Sequence, residues 1–252
     1  NPSWSQNAAL VQIARLRGRR LRTYLYWIGT DVLLMTQRST SGQLSDRDLA
    51  ELASTRNLAV ADHLVAELGE IGIPAKMVPF PSPHPPAPAS PPPLPHKLTV
   101  LTYLPDRRFE FYDGPTILAA ARTLPDIDFF VLTGTGAAVD EPPNVHFLGR
   151  VENVVEWYER ASVVVRLVEH DGLGATVVEG LLFGRYVVYS EPLPNTITVS
   201  HGDVDGLVST LRELRDAQDA GTLEPNTAGR DWAVEVFDTD RQFANLLEEL
   251  RR

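Results

Sequence analysis

The chain has 252 residues, 43% of them hydrophobic and 22% charged, with a net charge of −10 and no cysteine. Such a composition belongs to a globular protein, excludes disulfides and thiolate metal sites, and argues against a nucleic-acid binder. No apolar run approaches the length of about 18 residues that a membrane-spanning helix needs, and with no signal peptide visible a cytoplasmic location is the expectation. The chain begins with Asn1 rather than Met, so missing N-terminal residues are a further expectation.

Residues 5–17 predict an amphipathic helix ending near Gly18, with Trp4, Ala8, Val11 and Leu16 on its apolar face. Arg15, Arg17, Arg19, Arg20 and Arg22 then crowd together. Two readings stay open: a solvated helix end, or peripheral contact with anionic lipid at the inner face of a membrane. The charge is uneven, with nine Lys and Arg against seven Asp and Glu in residues 1–78 but 14 against 26 in the remainder. A strand is expected over 21–28, closed by Gly29-Thr30-Asp31, then a polar loop over 37–48. A short helix follows over 49–53, capped by Ser45 or Asp46. Residues 58–60 and 75–78 read as strands around a helix over 62–70, which Gly72-Ile73-Pro74 stops. His63 is expected on that helix's surface. Residues 1–78 are thus strand–helix–strand in style and too short for a complete Rossmann-like domain.

Ten of the 17 residues over 79–95 are proline. Proline fixes φ and donates no backbone hydrogen bond, so this stretch predicts an extended, semi-rigid interdomain linker over 79–96; a ligand segment for a proline-binding module is the weaker alternative. From residue 97 the pattern is regular. Strands are expected over 98–104, 128–132, 145–148, 162–168, 186–189 and 196–199, and helices over 115–124, 153–161, 204–220 and 227–252. Alternation of this kind predicts an α/β domain with a parallel sheet covered on both faces.

The chemistry concentrates after the 162–168 strand, in His170-Asp171-Gly172-Leu173-Gly174-Ala175-Thr176-Val177-Val178-Glu179-Gly180. The glycines allow close backbone approach to a ligand, and a helix start offers free N–H groups to a phosphate. Asp171 and Glu179 flank that start, eight positions apart, at the strand ends where open α/β sheets bind ligands. A diphosphate between two hydroxyl-binding carboxylates describes a sugar nucleotide. His170 is either a loop histidine or a phosphate or sugar contact. Arg166, inside an apolar strand, is either paired with an acid such as Glu169 or turned into the crevice. No ligand spacing for a metal is present, and Gly134-x-Gly136 and Gly172-x-Gly174 are too short for a dinucleotide fingerprint.

Residues 97–250 resemble the donor-binding domain of GT-B-fold glycosyltransferases, family 4 in particular. Val131-Leu132-Thr133-Gly134-Thr135-Gly136 is similar to the strand and glycine turn under the donor. Asn144-Val145-His146-Phe147-Leu148-Gly149-Arg150-Val151 resembles the segment that meets the nucleobase, and Asp171 through Glu179 resembles the family's paired acids. Gly184-Arg185-Tyr186-Val187-Val188-Tyr189-Ser190 is similar to its exit strand. Before the linker, Trp27-Ile28-Gly29-Thr30-Asp31 and Ala59-Val60-Ala61-Asp62 resemble strand ends of the acceptor-side domain. The resemblance implies a GT-B-like, Rossmann-like parallel-sheet domain over 97–252 preceded by a smaller or incomplete α/β domain, with the last helix packing back on that first domain.

It further implies that Glu179 accepts hydrogen bonds from the ribose, while Gly172, Leu173, Gly174, Ala175 and Gly134 present backbone to the donor. Arg150, Val151, Arg108 and His170 join them, and Asp171, Arg107 and Asp31 take the catalytic positions. The sequence departs from the family in four ways. The leading acid is Asp171, one methylene short of glutamate; no lysine follows Arg107 and Arg108; the early glycine-rich loop is missing; and no histidine lies near 26–31. The implied activity moves a sugar from a nucleotide-diphosphate sugar to a carbohydrate or lipid-linked acceptor, with retention and without cofactor or metal, in a setting such as cell-envelope polysaccharide synthesis. The alternatives are a relative that binds sugar nucleotides without turnover and, less supported, a sugar-nucleotide epimerase.

Overall fold

A computed structural model describes residues 18, 23–137 and 140–251. The helix expected over 5–17, with Trp4, Ala8, Val11 and Leu16, lies outside these, as does the basic cluster of Arg15, Arg17, Arg19, Arg20 and Arg22. The chain forms two units: Asn1–Pro81 with Asp171–Leu173 and Gln242–Arg252, and Ser82–His170 with Gly174–Arg241.

The first unit holds β1 (Tyr24–Trp27), α1 (Thr30–Thr40), α2 (Asp46–Ala53), β2 (Arg56–Ala59), α3 (Asp62–Glu70) and β3 (Ala75–Met77). Its strands pair in parallel in the order β1-β2-β3, with Trp27 beside Ala59 and Ala59 beside Met77. Trp27, Val32, Leu52, Leu64, Leu68 and Ile73 fill its core. The buried Asn57 is satisfied there by Trp27 Nε1, 3.0 Å away, and by the carbonyls of Leu52 and Thr55.

Helix α1 takes the first four residues of the loop expected over 37–48. Its start is fixed by the Asp31 carboxylate, which accepts the backbone N–H groups of Ile28, Gly29 and Val32 at 3.0, 2.8 and 3.0 Å. The threonines that suggested a loop bond back into the helix instead: Thr36 Oγ1 donates to the Leu33 carbonyl and Thr40 Oγ1 to that of Thr36. Ser45 caps α2 in a reciprocal box with Asp48. The Ser45 hydroxyl, then its backbone N–H, hold the Asp48 carboxyl below its ordinary range.

The second unit holds β4 (Thr99–Tyr103), a 3₁₀ turn (Asp106–Arg108), α4 (Gly114–Thr123), β5 (Asp128–Leu132), β6 (Val145–Gly149), α5 (Val155–Arg160), β7 (Val163–Arg166), α6 (Ala175–Leu182), β8 (Tyr186–Tyr189), β9 (Ile197–Thr198), α7 (Val204–Asp219) and α8 (Thr227–Val236). The sheet is parallel throughout, in the order β6-β5-β4-β7-β8-β9. Val163, Val164 and Val165 are all buried, as expected for a strand with helices on both faces. Strand order reverses at β4, so the crevice outside the ends of β4 and β7 is a topological switch point.

The region expected as one helix over 227–252 breaks at Phe237 and Asp238. The Asp238 carboxylate accepts the Arg241 N–H at 2.7 Å and starts α9 (Thr239–Arg251). Within the first unit, Tyr24 Oη donates to the α9 carbonyls of Glu249 and Leu250, and Lys76 pairs with Glu249.

The proline-rich stretch from Ser82 onward is fastened along the second unit. Arg185, fully buried, donates to the Pro92 and Pro93 carbonyls at 3.0 and 3.2 Å. Its burial pushes the guanidinium pKa down to about 10. Arg230 donates to the Ala89 carbonyl at 3.2 Å, and Thr239 to that of Ser82 at 3.3 Å. Pro91 lies over Gly184, where an added Cβ would sit 2.6 Å from the ring.

Candidate functional site

Three loops are laced together at the strand ends. The Asp106 carboxylate accepts the Thr135 backbone N–H and hydroxyl, each at 2.9 Å, tying the turn after β4 to the glycine turn after β5. These two donors, the backbone one first, hold the Asp106 carboxyl below the usual range. Thr133 N–H donates to the Gly149 carbonyl at 2.7 Å, and Gly149 N–H to that of Gly134 at 3.1 Å, adding the turn after β6. Glu169, beyond β7, donates its N–H to the Phe111 carbonyl at 3.0 Å.

A cavity of about 580 Å³ opens among these loops, lined by Arg107, Arg108, Phe111, Gly136, Phe147 and Glu169 among others. The Arg108 guanidinium lies 3.9 Å from the Phe111 ring centroid, a cation–π contact that fixes its direction. The structure therefore brings Arg107, Arg108 and the Gly134 turn together. Arg150, exposed, and Val151, half-buried, follow on the turn beyond Gly149.

Glu179 stands one turn into α6, and its carboxylate is held by one side chain and faced by another. Tyr158 Oη donates to Oε2 at 2.6 Å. Nδ1 of His84, from the proline-rich stretch, lies 3.5 Å from Oε1. Tyr158 is fully buried and stacked on Phe183 with centroids 5.4 Å apart. Burial first, and the Glu179 charge second, push its hydroxyl far above the ordinary tyrosine value, so it stays a neutral donor. At the start of α6, a Cβ on Gly174 would fall 2.0 Å from Arg166 Nε. Glycine there lets the Arg166 side chain cross the helix start, with its guanidinium 5.2 Å from the Tyr112 centroid. Ala175, the first residue of α6, is exposed.

Asp171, Gly172 and Leu173 group with the first unit. His63, half-buried on α3, donates from Nε2 to the Asp171 carbonyl at 2.8 Å. A Cβ on Gly172 would fall 2.0 Å from the Ile28 carbonyl oxygen, and one on Gly29 (φ +135°) would fall 2.7 Å from the Gly172 nitrogen. Two backbones thus meet where a side chain would not fit. His170, just before, is 7% exposed. Asp31 spends its carboxylate on its own turn, as described above. Among the described residues, no three His, Asp or Glu side chains gather as metal ligands, and no helix is long and apolar enough to cross a membrane.

Tyr158, His84 and Asp106 carry much of this arrangement, and sequence reasoning passed over them. Asp106 precedes two arginines in a turn, a weak signal for a loop clamp. Tyr158 reads as an ordinary helix residue and His84 as filler between prolines.

Residues 116–237 match the family model described as glycosyl transferases group 1. No curated protein matches the chain in sequence. Among solved structures, Anabaena Alr3699/HepE in complex with UDP-glucose aligns with TM-score 0.70 and 14% identity, over 98% of this chain and 77% of that one. A glycosyltransferase from Rickettsia africae aligns with TM-score 0.64 and 12% identity, over 100% and 82%. A mutant of S. aureus TarM, in complex with Fondaparinux, alpha-GlcNAc-glycerol and UDP, aligns with TM-score 0.63 and 12% identity. That match covers 82% of this chain and 46% of TarM, so the chain spans less than half of that protein's length. At these identities the likeness shows the fold: an α/β fold with parallel sheets, of the GT-B glycosyltransferase kind.

Proposed function

We propose that the protein, whose residues 116–237 match the family model described as glycosyl transferases group 1, moves a sugar from a nucleotide-diphosphate sugar to an acceptor hydroxyl. The observation that carries this reading is the cavity at the ends of β4 and β5, where Arg107 and Arg108 face the glycine turn that Asp106 clamps. The two guanidiniums neutralise the leaving diphosphate, which supplies the charge stabilisation that such a departure needs. Glu179 accepts hydrogen bonds from the ribose; Tyr158 occupies one acceptor position of its carboxylate, and an ionised carboxylate offers about four. Transfer proceeds with retention and without a metal, as in the family 4 enzymes that the sequence resembles. The acceptor is a carbohydrate or a lipid-linked molecule. UDP, free or as UDP-glucose, appears in the descriptions of the aligned TarM and HepE structures and is the first nucleotide to test.

A second reading, binding without turnover, is favoured by one observation. Asp106, Glu110 and Glu169 line the same cavity as the two arginines and weaken its positive potential. Incubating the full chain with UDP- and GDP-sugars and a panel of saccharide acceptors, while following nucleotide release, separates the two. Acceptor-dependent release of UDP or GDP is the expected result. Tight nucleotide binding with no release under any donor and acceptor pairing would leave the second reading standing.

A further inference from the structure

The cavity at the ends of β4 and β5 holds more acid than the proposed chemistry uses. Asp106, Glu110 and Glu169 line it together with Arg107 and Arg108, so its wall carries three carboxylates against two guanidiniums. Asp106 is spent on the Thr135 N–H and hydroxyl. Glu110 and Glu169 are not: both are exposed, and among the described residues neither carboxylate makes a hydrogen bond or an ion pair.

Their backbones, by contrast, are fixed. The Glu110 carbonyl accepts the Asp113 N–H at 2.9 Å and His201 Nε2 at 3.2 Å. The buried Asp113 carboxylate accepts the Gly202 N–H at 2.7 Å. Glu169 N–H donates to the Phe111 carbonyl at 3.0 Å, which brings Glu169 to the residue next to Glu110. A ligand meeting these two side chains has little backbone left to order.

A sugar-nucleotide diphosphate is dianionic and takes both guanidiniums under the reading above. The sugar attached to it then meets only carboxylates among the cavity's charged side chains. An ionised carboxylate accepts hydrogen bonds and donates none, so it suits a hydroxyl or an ammonium and repels a second carboxylate. We propose that Glu110 and Glu169 select the donor by charge: they admit a neutral or amino sugar and reject one carrying a carboxylate, such as a uronic acid. The proposal rests on the reading of Arg107 and Arg108 as the partners of the diphosphate.

The test is calorimetric titration of the full chain, Glu110→Gln, Glu169→Gln and the double variant with UDP-glucose, UDP-glucuronate, GDP-mannose and GDP-mannuronate. Each pair shares a nucleotide and differs by one carboxylate. For the nucleotide that binds, the wild type should prefer the neutral sugar by about tenfold or more, as like charges facing each other in one cavity require. Glutamine keeps an acceptor oxygen and removes the charge, so the double variant should narrow the preference to about threefold or less by gaining affinity for the uronate. Asp219→Asn, exposed at the far end of α7 from His201, removes a charge without facing the cavity and should leave the preference as in the wild type. Equal affinity for the two sugars in the wild type, a preference unmoved in the double variant, or one moved as much by Asp219→Asn overturns the proposal. Nucleotide binding that is still lost in Arg107→Ala/Arg108→Ala would uphold the diphosphate reading in each of those cases. A wild type that binds none of the four donors removes the functional reading and this inference with it.

Discussion

The two acids of one short motif are governed by different parts of the molecule. Asp171–Leu173 groups with the first unit, and backbone sets its course: the Ile28 carbonyl against Gly172, and His63 on the Asp171 carbonyl. Glu179 belongs to the second unit, and its carboxylate is set by side chains, Tyr158 on one oxygen and His84 near the other. The first acid is placed by chain geometry and the second by preorganised polar partners. A motif continuous in sequence is therefore two devices, and substitutions in it should separate them.

The largest separation is expected in nucleotide affinity. Glu179→Ala should weaken UDP or GDP by about 10- to 100-fold, the worth of hydrogen bonds to a charged acceptor. The same change leaves the buried Tyr158 hydroxyl without its acceptor, which costs about 1–3 kcal/mol of stability. Asp171→Asn should keep nucleotide affinity within about twofold while lowering turnover by about 10²-fold or more, the size seen on losing a transition-state stabiliser. Titration and steady-state rates on both variants check this; equal loss of affinity in the two would merge the devices.

Next comes stability. Gly172→Ala places a methyl group 2.0 Å from a backbone oxygen, which must move, whereas Gly174→Ala meets the Arg166 side chain, which has rotamers to spare. Urea melts should give about 1–3 kcal/mol of destabilisation for the first and about 1 kcal/mol or less for the second.

The smallest effect is alkaline. Burial raises the Tyr158 hydroxyl in the folded state, so above about pH 10, the unfolded value, the unfolded chain ionises first and stability falls with rising pH. Tyr26 of the first unit, also raised by burial, reaches about 12, so its share is lost between pH 10 and about 12. Tyr158→Phe and Tyr26→Phe should each flatten part of the decline above pH 10, in denaturation curves taken across that range. A decline unchanged in both variants would remove burial of these hydroxyls as its cause.

Most of the second unit was legible in the sequence because helices on both faces make its strands continuous apolar runs, such as Val163-Val164-Val165. The glycine turns and the two arginines were legible as local patterns. Side-chain bonds formed over long separations were not. Tyr158 and Glu179 are 21 positions apart, Asp106 and Thr135 are 29, and His84 and Glu179 are 95. The overrun of α1 past Gln37 was hidden for a different reason: its threonines read as loop residues until their hydroxyls are seen bonding back to helix carbonyls.

The proposed transfer requires that the cavity carrying Arg107 and Arg108 receive a nucleotide diphosphate. Titrating the full chain and Arg107→Ala/Arg108→Ala with UDP, GDP and the matching nucleosides tests it most directly. The predicted result is diphosphate binding that weakens by about 10²-fold in the double variant, as loss of two charge-assisted bonds requires, with nucleoside affinity unchanged. Diphosphate affinity equal in the two proteins, or absent from the wild type, would contradict it.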